Sequence, residues 1–161
     1  MSVTSIDKDF DNLSLTVIAD FEATTEQVWQ LWADPRQLER WWGPPTCPAT
    51  VEEHELTPGG SVTYYLTGPE GDSHRGWWRV TAANPPKSLE FVDGFAYDDG
   101  TPNTELPTTT VRMQLTVHGA GTRMEMRSAF ESRDQMEQLV NMGMAEGIEQ
   151  SVGQMDALLA T

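Results

Sequence analysis

Histidine, cysteine and clustered carboxylates are the side chains whose spacing announces chemistry most directly, and in this chain they are scattered. His54, His74 and His118 stand far apart, whereas a zinc site needs several ligands converging on one ion. With Cys47 the single cysteine, the spacing predicts ordinary strand histidines, no metal and no cofactor. Cys47 precedes Pro48 at a strand start, has no base near it in sequence, and reads as packing rather than nucleophile. Glu52-Glu53 and Asp98-Asp99 are adjacent pairs whose side chains diverge in a strand or loop, so spacing alone makes neither an acid–base couple. Nucleophile-elbow, phosphate-loop and dinucleotide fingerprints are missing. Gly59-Gly60 leads into a strand, not the helix a phosphate cradle requires. No catalytic residue is assigned.

Apolar contact surface is what the chain has in supply. Six tryptophans and eight methionines provide large buried areas and side chains that adapt to irregular shapes. The 25 acidic and 10 basic residues leave a formal charge of −15, a field that repels phosphate backbones and anionic membrane surfaces. Neither nucleic acid nor membrane is therefore an expected partner. One cysteine excludes an internal disulfide scaffold. Asp7, Lys8, Asp9 and Asp11 replace an apolar signal core, and the expected location is the cytoplasm. A length of 161 residues suits one domain, with 1–12 a polar, patternless lead-in and 13–161 the folded unit.

The elements that must position these side chains follow from periodicity. Leu13, Leu15, Val17 and Ala19 alternate with Ser14, Thr16 and Ile18 as a first strand. Thr24, with Gln27 three positions on, starts a helix carrying Val28, Leu31 and Trp32. Pro35 opens a second short helix with Leu38, Trp41 and Trp42, which Gly43-Pro44-Pro45 ends. Strands are then expected over 47–56, 61–67, 74–82, 87–93, 109–117 and 122–130, separated by Gly/Pro/Asn turns. Val111, Met113, Leu115 and Val117 share one face, and Met124 and Met126 alternate with Arg123, Glu125 and Arg127, as in an antiparallel sheet with one dry face. Residues 94–108 form the longest loop. Segment 132–160 has no proline and reads as one long helix whose stripe includes Met136, Val140, Met144 and Ile148. Gly143, Gly147 and Ser151 follow one edge of it, either for close approach to the sheet or to thin a wall beside a cavity. The result is α+β: a curved seven-stranded antiparallel sheet, two short helices and a long C-terminal helix along the concave face.

That order resembles the helix-grip fold of START-like/SRPBCC proteins. Particular phrases are similar to bacterial proteins related to the activator of heat-shock-protein-90 ATPase. They are Val28-Trp29 with Leu38-Glu39-Arg40-Trp41-Trp42-Gly43-Pro44; Leu56-Thr57-Pro58-Gly59-Gly60; Gly76-Trp77-Trp78-Arg79-Val80; and Met142-Gly143-Met144-Ala145-Glu146-Gly147. The likeness covers about residues 13–160. Members often place an acidic-x-Arg before Pro-Gly-Gly, and Glu55-Leu56-Thr57 lacks that arginine, so no role of it is carried over. The resemblance implies that Trp78 and Val80 face inward and that Trp41 and Trp42 lie near a cavity mouth.

Function in this superfamily varies on one fold. The leading expectation is a binder or carrier of a small apolar ligand, lipid-like, aromatic or polyketide. Trp78, Phe91, Met113, Met124 and Met126 would line the sheet side. Met136, Val140, Met144 and Ile148 would close it from the helix, with Trp41 or Trp42 at the entrance. A cyclase or aromatase would need polar groups inside, for which Tyr64, His74, Arg112 and Glu53 are candidates. A stress-related chaperone partner acting through its surface is the third expectation, and a homodimer is also open.

Overall fold

The computed structural model describes residues 3–160. Its elements run β1 (Val3–Asp9), β2 (Ser14–Phe21), α1 (Thr25–Ala33), α2 (Pro35–Leu38), β3 (Ala49–His54), β4 (Ser61–Thr67), β5 (Ser73–Asn84), β6 (Ser88–Ala96), β7 (Thr109–His118) and β8 (Gly121–Ala129). The chain closes with α3 (Arg133–Asn141), α4 (Met144–Gly153) and α5 (Met155–Leu159). The eight strands form one antiparallel sheet in the order β1-β2-β8-β7-β6-β5-β4-β3. None of the described helices is long and apolar enough to cross a membrane.

Local chemistry explains the starts. Thr24 and Gln27 make the reciprocal capping box expected at α1. Asp34 caps α2, where Pro35 takes the first turn, a position at which its missing N–H costs nothing. Alternation puts Leu15, Val17, Val62, Trp78, Val80, Leu89, Phe91, Met113, Leu115, Met124 and Met126 on the dry face, each no more than 3% exposed. Arg112 sits on the other face and pairs with Glu90.

Four expectations change. Residues 3–9, assigned to the loose lead-in, form an edge strand that pairs with β2, which raises the sheet from seven strands to eight. An edge strand buries little, so its polar sequence shows no strong alternation. β6 runs on to Ala96 and bridges to Pro102, which shortens the 94–108 loop. Val117 does not join the dry face; it is 79% exposed beside the β7–β8 turn. Finally, the C-terminal helix comes in three segments. Gly143 adopts φ +91° between α3 and α4, a conformation that costs residues with a Cβ roughly 1–2 kcal/mol.

Candidate ligand groove

The break at Gly143 sits over the sheet where β4 and β6 carry their only unusual inward residues. On β6 the inward series is Leu89, Phe91, Asp93 and Phe95, so a carboxyl replaces an apolar side chain. On β4 the corresponding residue is Tyr64, whose hydroxyl donates to Asp93 Oδ1 at 3.3 Å. Gly76 of β5 is the cross-strand partner of Tyr64, and a Cβ there would collide with the phenol. Glycine at 76 therefore permits the tyrosine to lie across β5 towards Asp93.

Two adjoining cavities open here. One, of about 300 Å³, is lined by Tyr64, Asp93, Phe95, Thr109, Leu139 and Met142 among others. The second, of about 190 Å³, is lined by Trp41, Trp42, Met126, Ile148, Ser151 and Val152 among others. Pro44, Tyr64, Leu66, Met144 and Gly147 border both, which makes them one groove between the sheet and α3–α4. The larger chamber alone reaches the lower end of the range for small-molecule sites. Gln154 ties the helix side to the α2 loop by donating to the carbonyls of Gly43 (2.6 Å) and Trp41 (3.3 Å).

Electrostatically the groove is simple. Among the described residues Asp93 is the single charged one lining it, and no Lys, Arg or His lines either chamber. Asp93 is half-buried and faces the larger chamber. Burial in apolar surroundings pushes its pKa up to about 7, against the opposing hydrogen bonds from Tyr64 and the Gly94 backbone. The Tyr64 hydroxyl is pushed well above its ordinary value, first by burial and then by the neighbouring Asp93. Both groups are therefore neutral over much of the range below pH 7, and only the carboxyl changes state near it.

The expected site residues divide between groove and core. Trp41, Trp42, Met126, Met144 and Ile148 border the groove. Trp78, Phe91, Met113, Met124 and Met136 are at most 1% exposed, lie in the cores and border neither chamber. Val140 packs, half-buried, on the smaller cluster around Phe130 and Met136. The reason is aromatic packing. Trp78 stacks on Phe91 (centroids 4.0 Å, 17°) and Trp42 meets Trp78 edge-on at 4.7 Å, so the rings fill the space the ligand was expected to use. Trp41 is itself fully buried, with its Nε1 donating to Leu31 O at 2.8 Å.

Among the polar candidates, only Tyr64 reaches the groove. Arg112 is on the wet face, Glu53 hydrogen-bonds Thr63 there, and His74 pairs with Asp72 at 2.6 Å in solvent. His54 Nε2 donates to Trp32 O at 2.9 Å, and His118 lies near Asp20 and Arg123. Cys47 is half-buried, with Thr46 Oγ1 3.9 Å from its sulfur. Among the described residues no three His, Cys, Asp or Glu converge as a metal site would require. Asp93 was missed, although its signal is present: an acid in phase with Leu89 and Phe91. Two larger depressions elsewhere carry several acidic residues beside apolar ones. One is lined by Asp20, Glu22, His118 and Asp156, the other by Glu52, Glu53, Asp98 and Asp99. In the first, Asp20 is already held by Arg123 at 2.8 and 3.0 Å.

A curved antiparallel sheet with short helices at one end and C-terminal helices across its face defines the helix-grip class of α+β domain. The family model described as "Activator of Hsp90 ATPase homolog 1-like protein" matches residues 22–160, and the chain belongs to that family, within the START-like/SRPBCC superfamily. Similar solved structures include a protein of Arthrobacter aurescens, 49% identical, with TM-score 0.95 over 99% of this chain and 92% of that one. Another, from Mycobacterium smegmatis, is 46% identical, with TM-score 0.91 over 98% and 96%. No curated protein matches the chain.

Proposed function

We propose that the protein binds a small, largely apolar ligand, lipid-like, aromatic or polyketide, in the groove between its sheet and its C-terminal helices. The observation that carries this reading is the space beside Gly147. A Cβ built there meets no heavy atom within 4 Å, although Gly147 borders both chambers. Missing side chains used for close packing would leave contacts at that distance, so this glycine thins a wall instead. Gly147→Leu is expected to fill the groove and abolish uptake of the neutral dye N-phenyl-1-naphthylamine, while the fold is retained. Unchanged dye uptake by a folded variant would count against the groove as the binding site.

A second reading, an enzyme of cyclase or aromatase type using the same groove, is favoured by the Asp93–Tyr64 pair. A carboxyl poised near neutrality beside a phenol can exchange a proton with a bound carbonyl compound. Turnover of a poly-β-ketone analogue that is lost in Asp93→Asn, with dye uptake retained, would place catalysis first. Action on a chaperone through the surface is supported by the family description alone.

A further inference from the structure

The groove carries information about ligand charge as well as shape. Its walls are aromatic and aliphatic, with one acid and no base among the residues that line it. Around the Asp93 carboxyl, β4 presents Tyr64, β5 presents Trp78 as its cross-strand partner, β7 presents Thr109 opposite, and the helix side presents Leu139, Met142 and Met144. Tyr64 is the one other titratable group there. A carboxylate or phosphate ligand drawn into this space would lose its water, find no counter-charge and face Asp93, the unfavourable situation of a buried unpaired charge. An ammonium group has the opposite fate. It meets a carboxyl already oriented by the Tyr64 hydroxyl, in a chamber that the Tyr64 ring also lines, and cations are attracted to aromatic ring faces.

We infer that the groove selects apolar molecules bearing one protonatable amine, that Asp93 is the residue recognising the amine, and that Tyr64 positions its carboxyl. The inference rests on the groove reading above and narrows its ligand class: long-chain amines enter, and acyl anions of the same length are excluded. Because the carboxyl must be ionised to hold an ammonium, amine binding strengthens as pH rises from 6 to 8. Tyr64 stabilises the charged form, so losing its hydroxyl moves that rise to higher pH.

The test is displacement of N-phenyl-1-naphthylamine by decylamine, decanol and decanoate, below their aggregation limits and at fixed moderate salt. Wild-type protein should prefer the amine over the alcohol by about tenfold or more, with the acid weakest. Asp93→Asn should erase the preference and improve decanoate. It removes one charge from a net −15, so general attraction of cations by the protein persists in the variant and cannot account for the loss. Tyr64→Phe should retain the preference at pH 8 and weaken it at pH 7. An amine preference that survives in folded Asp93→Asn, or decanoate binding as tightly as decylamine to wild type, would overturn the inference while leaving the groove intact. Failure of all three compounds and of the dye to bind would instead overturn the groove reading on which it rests.

Discussion

Asp93 is in energetic conflict with its surroundings, and that conflict can be measured without a ligand. Its carboxyl titrates near pH 7 in the folded protein and near its ordinary value of 3.8 when unfolded. Between those values the folded state holds the extra proton, so stability attributable to this group is greatest below about pH 4 and declines as pH rises to 7. Above pH 7 no further loss follows. Asp93→Asn keeps the shape and an acceptor for Tyr64 but never ionises. Its melting temperature relative to wild type should therefore be higher at pH 8 than at pH 5. An equal difference at both values would show that the carboxyl is better solvated than its place in the groove implies. Tyr64 and Gly76 belong to the same argument, since the phenol reaches Asp93 only because its cross-strand neighbour has no side chain.

At the scale of elements, two glycines four residues apart have different physical reasons for being glycine. Gly143 holds φ +91° where α3 ends and α4 begins. Gly147 is ordinary helix with open space where a Cβ would go. Gly143→Ala should lower stability by about 1–2 kcal/mol, and Gly147→Ala should raise it by up to about 1 kcal/mol through helix propensity. Thermal or urea unfolding of the pair decides this, and shifts of the same sign would mean that the helix does not break at 143. The break has a functional consequence. A continuous helix over 132–160 would carry its stripe straight along the sheet, whereas the left-handed residue redirects α4 beside the groove that Met144 and Ile148 border.

For the molecule as a whole, charge opposes the core. A net −15 makes the compact state repel itself, and the ion pairs that answer it, such as Lys8–Glu146 at 4.0 Å and Arg133–Glu137 at 3.2 Å, are solvent-exposed and contribute little. Raising sodium chloride from about 20 mM to 200 mM shortens the Debye length from some 20 Å to below 10 Å and should raise the melting temperature. A fall would show that attractive pairs outweigh the repulsion. Against this repulsion stands a continuous aromatic column, Trp41, Trp32, Trp78 and Phe91, with neighbouring centroids between 4.0 and 6.0 Å.

Local pattern was enough to read β2 through β8, α1, the start of α2, and the order that places helices across one face of an antiparallel sheet, though α2 ends at Leu38, short of the expected Trp41 and Trp42. Those features depend on alternation, caps and turn residues, which act between near neighbours in the chain: Thr24 with Gln27, or Val111 with Met113. Local pattern also placed Met126, Met144 and Ile148 on the side of their elements that borders the groove. It could not decide that Trp78 and Phe91 fill space rather than border it, because that depends on how rings from four separate elements stack. Nor could it assign β1, whose order comes from pairing with β2 rather than from any period of its own. The Asp93–Tyr64 contact spans 29 residues and arises from the sheet register across β4, β5 and β6 together with the missing side chain at Gly76. Burial and register are properties of the assembled sheet, and they alone turn an unremarked aspartate into the charged group of the groove.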